Sequence, residues 1–85
     1  MGIVVVNAQR DFSVSSRAVA KLLRRAIRIL KIATPGTLEV TFLSPQRMRA
    51  VNRKALRHDR VTDVISFRYN GEPVVGEILI APSQA

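Results

Sequence analysis

Val64-Ile65-Ser66-Phe67, then Asn70-Gly71, then Gly76-Glu77-Ile78-Leu79-Ile80: this stretch decides the fold. Two apolar runs rich in β-branched residues flank an Asn-Gly pair, which tolerates the left-handed backbone of a tight hairpin. The pattern predicts a third and a fourth strand, paired antiparallel. Pro73 lacks an N–H and cannot donate to a ladder, so pairing near the turn should be ragged.

Upstream, Ser44-Pro45 opens a helix with serine as cap and proline at the first helical position. Met48, Val51 and Ala55 supply its apolar stripe. Before it, Leu38 to Leu43 alternates like a strand with one face buried. Thr34-Pro35-Gly36 is expected to end an earlier helix, for which Ser13 and Ser15 are candidate caps. Val19, Leu22, Leu23, Ala26, Ile27 and Leu30 follow intervals of 3, 1, 3, 1 and 3 along one face of that helix. Ile3-Val4-Val5-Val6 is a β-branched first strand closed by Asn7.

The order is βαβαββ, an α+β fold with a small mixed four-stranded sheet and two helices. Both strand–helix–strand connections predict right-handed crossovers and parallel neighbours, and the hairpin adds an antiparallel strand.

The 85 residues predict a single domain over 1–85 with a thin core. Cysteine is absent, which excludes disulfides, thiolate zinc sites and cysteine nucleophiles. The run from Ile3 to Val6 is too short for a signal segment or a membrane span, and Val6 stands where a myristoylation signal wants Ser or Thr. The expected location is cytoplasmic, without membrane contact. Fourteen Lys and Arg face six Asp and Glu, and eleven of the cations are Arg. Guanidinium forks match phosphate oxygens, so the imbalance points to nucleic acid or the ribosome, against the plainer role of keeping the protein soluble.

Arg17, Lys21, Arg24, Arg28 and Lys31 are spaced 4, 3, 4 and 3, with Arg25 close by. This stacks cations along one side of the first helix with no acidic residue between them. They are candidate RNA-backbone contacts, or a solvated face; either way they carry no base-reading information. His58, Asp59 and Asp63 are the metal-ligand types that cluster, yet one histidine and two aspartates in a loop more readily fix a turn than hold an ion. No metal site is therefore expected in this chain. Ser66 has no base near it in sequence, which argues against a nucleophilic triad.

The stretch from Val51-Asn52 to Thr62-Asp63-Val64-Ile65-Ser66-Phe67 resembles the hallmark of the YbeY family of bacterial rRNA maturation factors. Gly76-Glu77-Ile78-Leu79-Ile80 and Pro82 resemble a further strand of that family and the proline after it. The resemblance implies the N-terminal part of a zinc-dependent, single-strand endoribonuclease that matures the 3′ end of small-subunit rRNA. It also implies a segment carrying three zinc-binding histidines, which in the family lies beyond the equivalent of Ala85.

Three departures stand out. The histidine motif is absent, Leu56 stands where many members have Arg with Arg57 one place off, and Val61 replaces a proline. By the same resemblance, Arg57, Asp63 and Ser66 are substrate-groove candidates. No cofactor is expected in this chain, zinc being the family's. The implied partners are rRNA or the small ribosomal subunit, with a missing C-terminal segment or a second chain to complete the site. Two alternatives are a non-catalytic basic RNA- or ribosome-binding module and a split or truncated enzyme.

Overall fold

The computed structural model describes residues 1–32, 35–55, 63–70 and 73–82. Its elements are β1 (Gly2–Ala8), α1 (Ser16–Ile29), β2 (Thr37–Leu43), α2 (Pro45–Ala55), β3 (Val64–Arg68) and β4 (Val74–Ile80). The predicted α+β class and the βαβαββ order both hold. The strands form one sheet in the order β1-β2-β4-β3. β1 pairs parallel with β2, β2 parallel with β4, and β3 antiparallel with β4.

The neighbour expected for β2 after the second helix was β3. Instead β4 takes that place and β3 moves to the edge. The hairpin explains this: β3 and β4 run in opposite directions, and only β4 offers β2 a parallel partner. The hairpin ladder runs without a shift from Val64–Ile80 to Arg68–Gly76, and the irregularity near Pro73 falls in the β2–β4 pairing instead, between Thr37 and Leu38. There Pro73 contributes only its carbonyl, which accepts from the Thr37 N–H at 2.7 Å. Gly71 of the expected turn lies outside the described residues.

Register shows that the helices lie on opposite faces of the sheet. Leu43, Ile65 and Leu79 share one face and form the core with Met48 and Ala81, while Val51 of α2 and Phe67 of β3 pack against it. Val40 and Phe42 point the other way and are buried on the face that α1 covers, where α1 packs on β1 and buries Ala20. β2 is thus covered on both sides where its alternation predicted one. It lies inside the sheet, between β1 and β4, and buries Leu43 in the α2-side core and Val40 and Phe42 on the other face.

Ser15 is the cap of α1: its Oγ accepts from the Ala18 N–H at 3.1 Å. The helix ends earlier than Thr34-Pro35-Gly36. Lys31 takes a left-handed backbone (φ 55°), the Ile32 N–H donates to Ile27 O at 3.1 Å, and the Lys31 N–H donates to Arg28 O at 3.2 Å. Those two bonds are a Schellman closure, usually built on glycine and here built on lysine. Ser44 caps α2 as predicted, its Oγ accepting from the Arg47 N–H at 3.3 Å.

Candidate nucleic-acid interface

Arg17, Lys21, Arg24, Arg25 and Arg28 on α1 are all exposed, as is Lys31, which lies past the end of the helix in its left-handed closure. No acidic residue occupies the first turn, and Arg28 sits in the last. Cations at a helix C-terminus face the negative end of the backbone dipole, so the last turn tolerates Arg28 and Lys31 better than the first tolerates Arg17. Around the same helix, Leu22, Ile29 and Leu30 are each 68% exposed, against the sequence expectation that Leu22 and Leu30 face the core. The inward face is Val19, Ala20, Leu23, Ala26 and Ile27 instead.

The groove candidates divide. Asp63 and Ser66 are exposed, Ser66 on the face opposite the Ile65–Leu79 core. Asp63 fixes the entry to β3: its Oδ1 accepts from the Val64 N–H at 2.9 Å, and its carbonyl accepts from Ala81 N–H at 2.8 Å. That matches the turn-fixing role expected for it. Arg57, with His58 and Asp59, lies outside the described residues. Among the described residues no three His, Cys, Asp or Glu side chains converge as a metal site. With one His and no Cys in 85 residues, the donor set does not fit a three-histidine zinc centre.

The structure adds a second basic feature that sequence reasoning missed. β1 and β2 end side by side, Ala8 opposite Leu43, so the segments that follow leave the sheet together. Between them lies a cavity of about 620 Å³ lined by Asn7, Ala8, Gln9, Arg10, Asp11, Ser44, Gln46 and Arg47. Buried Gln9 builds the rim. Its Nε2 donates to Asn7 Oδ1 at 2.7 Å and to Phe12 O at 2.8 Å, while its Oε1 accepts from the Phe12 N–H at 2.9 Å. These bonds fold residues 7–12 into a closed loop that turns Arg10 and Asp11 outward, both exposed. The signal available in sequence was positional: open sheets bind ligands outside the carboxyl ends of parallel strands.

A strip of the α2-side face remains bare. It carries Val4 and Val6, each 43% exposed, with Glu39 and Glu77 directly paired across β2 and β4. Tyr69 reaches this strip, its hydroxyl donating to Glu77 Oε1 at 3.5 Å. Partial desolvation, the Glu77 carboxylate and then Glu39 all push the Tyr69 phenol up from its ordinary value.

The family model described as Endoribonuclease YbeY matches residues 4–85. The chain belongs to the YbeY family. It is 28% identical to the Endoribonuclease YbeY of Thermodesulfovibrio yellowstonii, over 99% of this chain and 64% of that protein. With the Endoribonuclease YbeY of Chlorobaculum tepidum it shares 35% identity, over 82% of this chain and 55% of the relative. That of Latilactobacillus sakei is also 35% identical, over 67% of this chain and 36% of the relative. The chain therefore spans less than two thirds of the length of these YbeY relatives. Among the described residues, no helix is long and apolar enough to cross a membrane.

Proposed function

We propose that this chain is the RNA-holding part of a YbeY-type endoribonuclease of rRNA maturation, acting on single-stranded RNA at the 3′ end of small-subunit rRNA. The observation that carries the proposal is the exposed, uninterrupted cation row of α1 in a chain of this family. Guanidinium and ammonium groups at helical spacing can follow a phosphate backbone without reading bases. Asp63 and Ser66, exposed at the β3 end of the sheet, are the groove contacts, joined by Arg57.

The chain's own residues bind and orient RNA. The residues that would hold the family's zinc are the three histidines that the resemblance implies beyond position 85, and bound there the metal would supply activation of water for hydrolysis. The residues present here do not form that site, and no step is assigned to them through it. The single histidine and the absence of cysteine also keep a second reading open, a non-catalytic RNA-binding module.

The test is filter binding of a 3′-extended small-subunit rRNA fragment over a salt series. The logarithm of affinity should fall with log salt by about 0.7 per neutralised phosphate. Replacing Arg17, Lys21, Arg24 and Arg28 by Gln should flatten the slope with the circular dichroism unchanged; an unaltered slope returns the row to a solvated face. Single-turnover cleavage should match the buffer control for these 85 residues. Zinc-dependent cleavage should appear when a segment bearing the three histidines is supplied. If it fails to appear, the module reading stands.

A further inference from the structure

The cavity at the ends of β1 and β2 is unused by the RNA-holding role of α1, and its lining is chemically specific. Arg10 and Arg47 come from different elements, one from the loop after β1 and one from the first turn of α2, and they line the same space. Among the described residues neither guanidinium meets a carboxylate or another acceptor. Two guanidiniums lining one cavity favour an anion there, and their planar forks suit phosphate oxygens.

The start of α2 is not what attracts the anion. Pro45 has no N–H, and the Arg47 N–H is already given to Ser44 Oγ at 3.3 Å. Asp11 also lines the cavity, and a carboxylate beside a phosphate site would be unfavourable if the ligand were phosphate alone. It becomes useful if the ligand also carries hydroxyl donors, because a carboxylate accepts from both hydroxyls of a ribose. Gln46 adds an amide group able to pair with a base edge, and Asn7, its Oδ1 already accepting from Gln9, adds only its Nδ2 donor. A volume of about 620 Å³ lies within the range of small-ligand sites. The loop that presents Arg10 and Asp11 is held by the Gln9 bonds, so it is formed before any ligand arrives.

We propose that this cavity binds one ribonucleotide unit, its phosphate between Arg10 and Arg47 and its ribose hydroxyls on Asp11. The inference deepens the RNA-holding role and rests on it for the ligand's class. It gives the chain a site that distinguishes ribose from deoxyribose, which the phosphate contacts of α1 do not do.

The experiment titrates adenosine 5′-monophosphate, its 2′-deoxy counterpart and inorganic phosphate into the isotope-labelled full chain, following backbone amide signals. The ribonucleotide should shift signals of 7–11 and 44–47, bind several-fold more tightly than the deoxy form, and be displaced by phosphate. Arg10→Gln and Arg47→Gln, at exposed positions, should each weaken it about tenfold, the scale of one charge-assisted contact. Asp11→Asn should erase the preference for ribose. Equal affinity in both arginine variants, or shifts confined to α1, overturns the proposal. The RNA-holding role is scored separately with an oligoribonucleotide and the α1 glutamine variant. Nucleotide binding at 7–11 without oligonucleotide binding would sink that role and keep the cavity. Oligonucleotide binding lost only through α1, with no nucleotide in the cavity, would do the reverse.

Discussion

The two helices invert what their sequences promise. α1 has the cleaner amphipathic spacing and runs 14 residues, yet Ala20 is its single buried side chain. α2 has 11 residues and is mostly polar, yet it supplies fully buried Met48 and nearly buried Asn52. The difference is one of position. α2 lies over the junction of β2, β4 and β3, where Leu43, Ile65, Leu79 and Ala81 converge and a single long side chain can touch all of them. α1 packs mainly on β1, an edge strand, and half its circumference stays in water. A helix that anchors little leaves its surface free for another molecule, and the exposed cations of α1 lie on that surface.

The strongest way to break this contrast is at Met48. Met48→Ala removes a side chain with 0% exposure from the centre of the core, and should cost about 2–5 kcal/mol of unfolding free energy in urea titration. For these 85 residues by themselves, that threatens folding at ambient temperature. A loss below about 1 kcal/mol would mean the α2 side is loosely packed and the contrast false.

Asn52 sharpens the same point at smaller amplitude. It is 2% exposed and is not without a partner, so Asn52→Ala removes packing together with a buried polar group. The expected cost is about 1–3 kcal/mol, read from the same titration. Asn52→Leu should not recover it, since leucine fills the space but cannot make the polar interaction. Rescue by leucine would show that Asn52 serves only as filler.

Much of this was legible in the chain. Serine-proline at 44–45, the alternation of 38–43 and the hairpin runs each carry a local cause, and each appeared where its cause lay. What escaped depended on neighbours. No local pattern says that β4 rather than β3 sits beside β2, that Asn52 lies inward, or that Leu22 and Leu30 find nothing to cover them. The cavity escaped for the same reason, because Arg10 and Arg47 are 37 positions apart and meet only through the parallel register of β1 and β2. The cation row was visible because one helix carries all of it but Lys31, which follows the helix end.

The end of α1 offers a gain where the core positions offer losses. A non-glycine residue in the left-handed region is strained, and Lys31 holds φ 55° in the Schellman closure. Lys31→Gly should therefore stabilise the chain by about 0.5–1 kcal/mol, after the favourable charge at the helix end is lost. Thermal unfolding reads this gain. The salt series reads the counter-effect, because removing one cation should lower the RNA slope by less than one phosphate equivalent. A destabilised variant would show that the lysine side chain is part of the fold's own contacts.

The smallest expected effect is the most direct statement about α1. Leu22 and Ile29 are each 68% exposed, and large apolar side chains at that exposure are ordinary on a surface when they stand singly. These two lie on the same side of the helix, seven positions apart, outside the inward face of Val19, Ala20, Leu23 and Ile27. Leu22→Gln and Ile29→Gln should each change unfolding free energy by no more than about 0.5 kcal/mol, since neither removes a buried contact. The double variant should add the two small effects, because side chains two turns apart share little packing. The check is urea unfolding of all three variants at two protein concentrations. A loss above about 1.5 kcal/mol that grows with concentration would mean that α1 buries this side against another copy of the chain, and its exposure in the monomer would then be the wrong basis for the comparison.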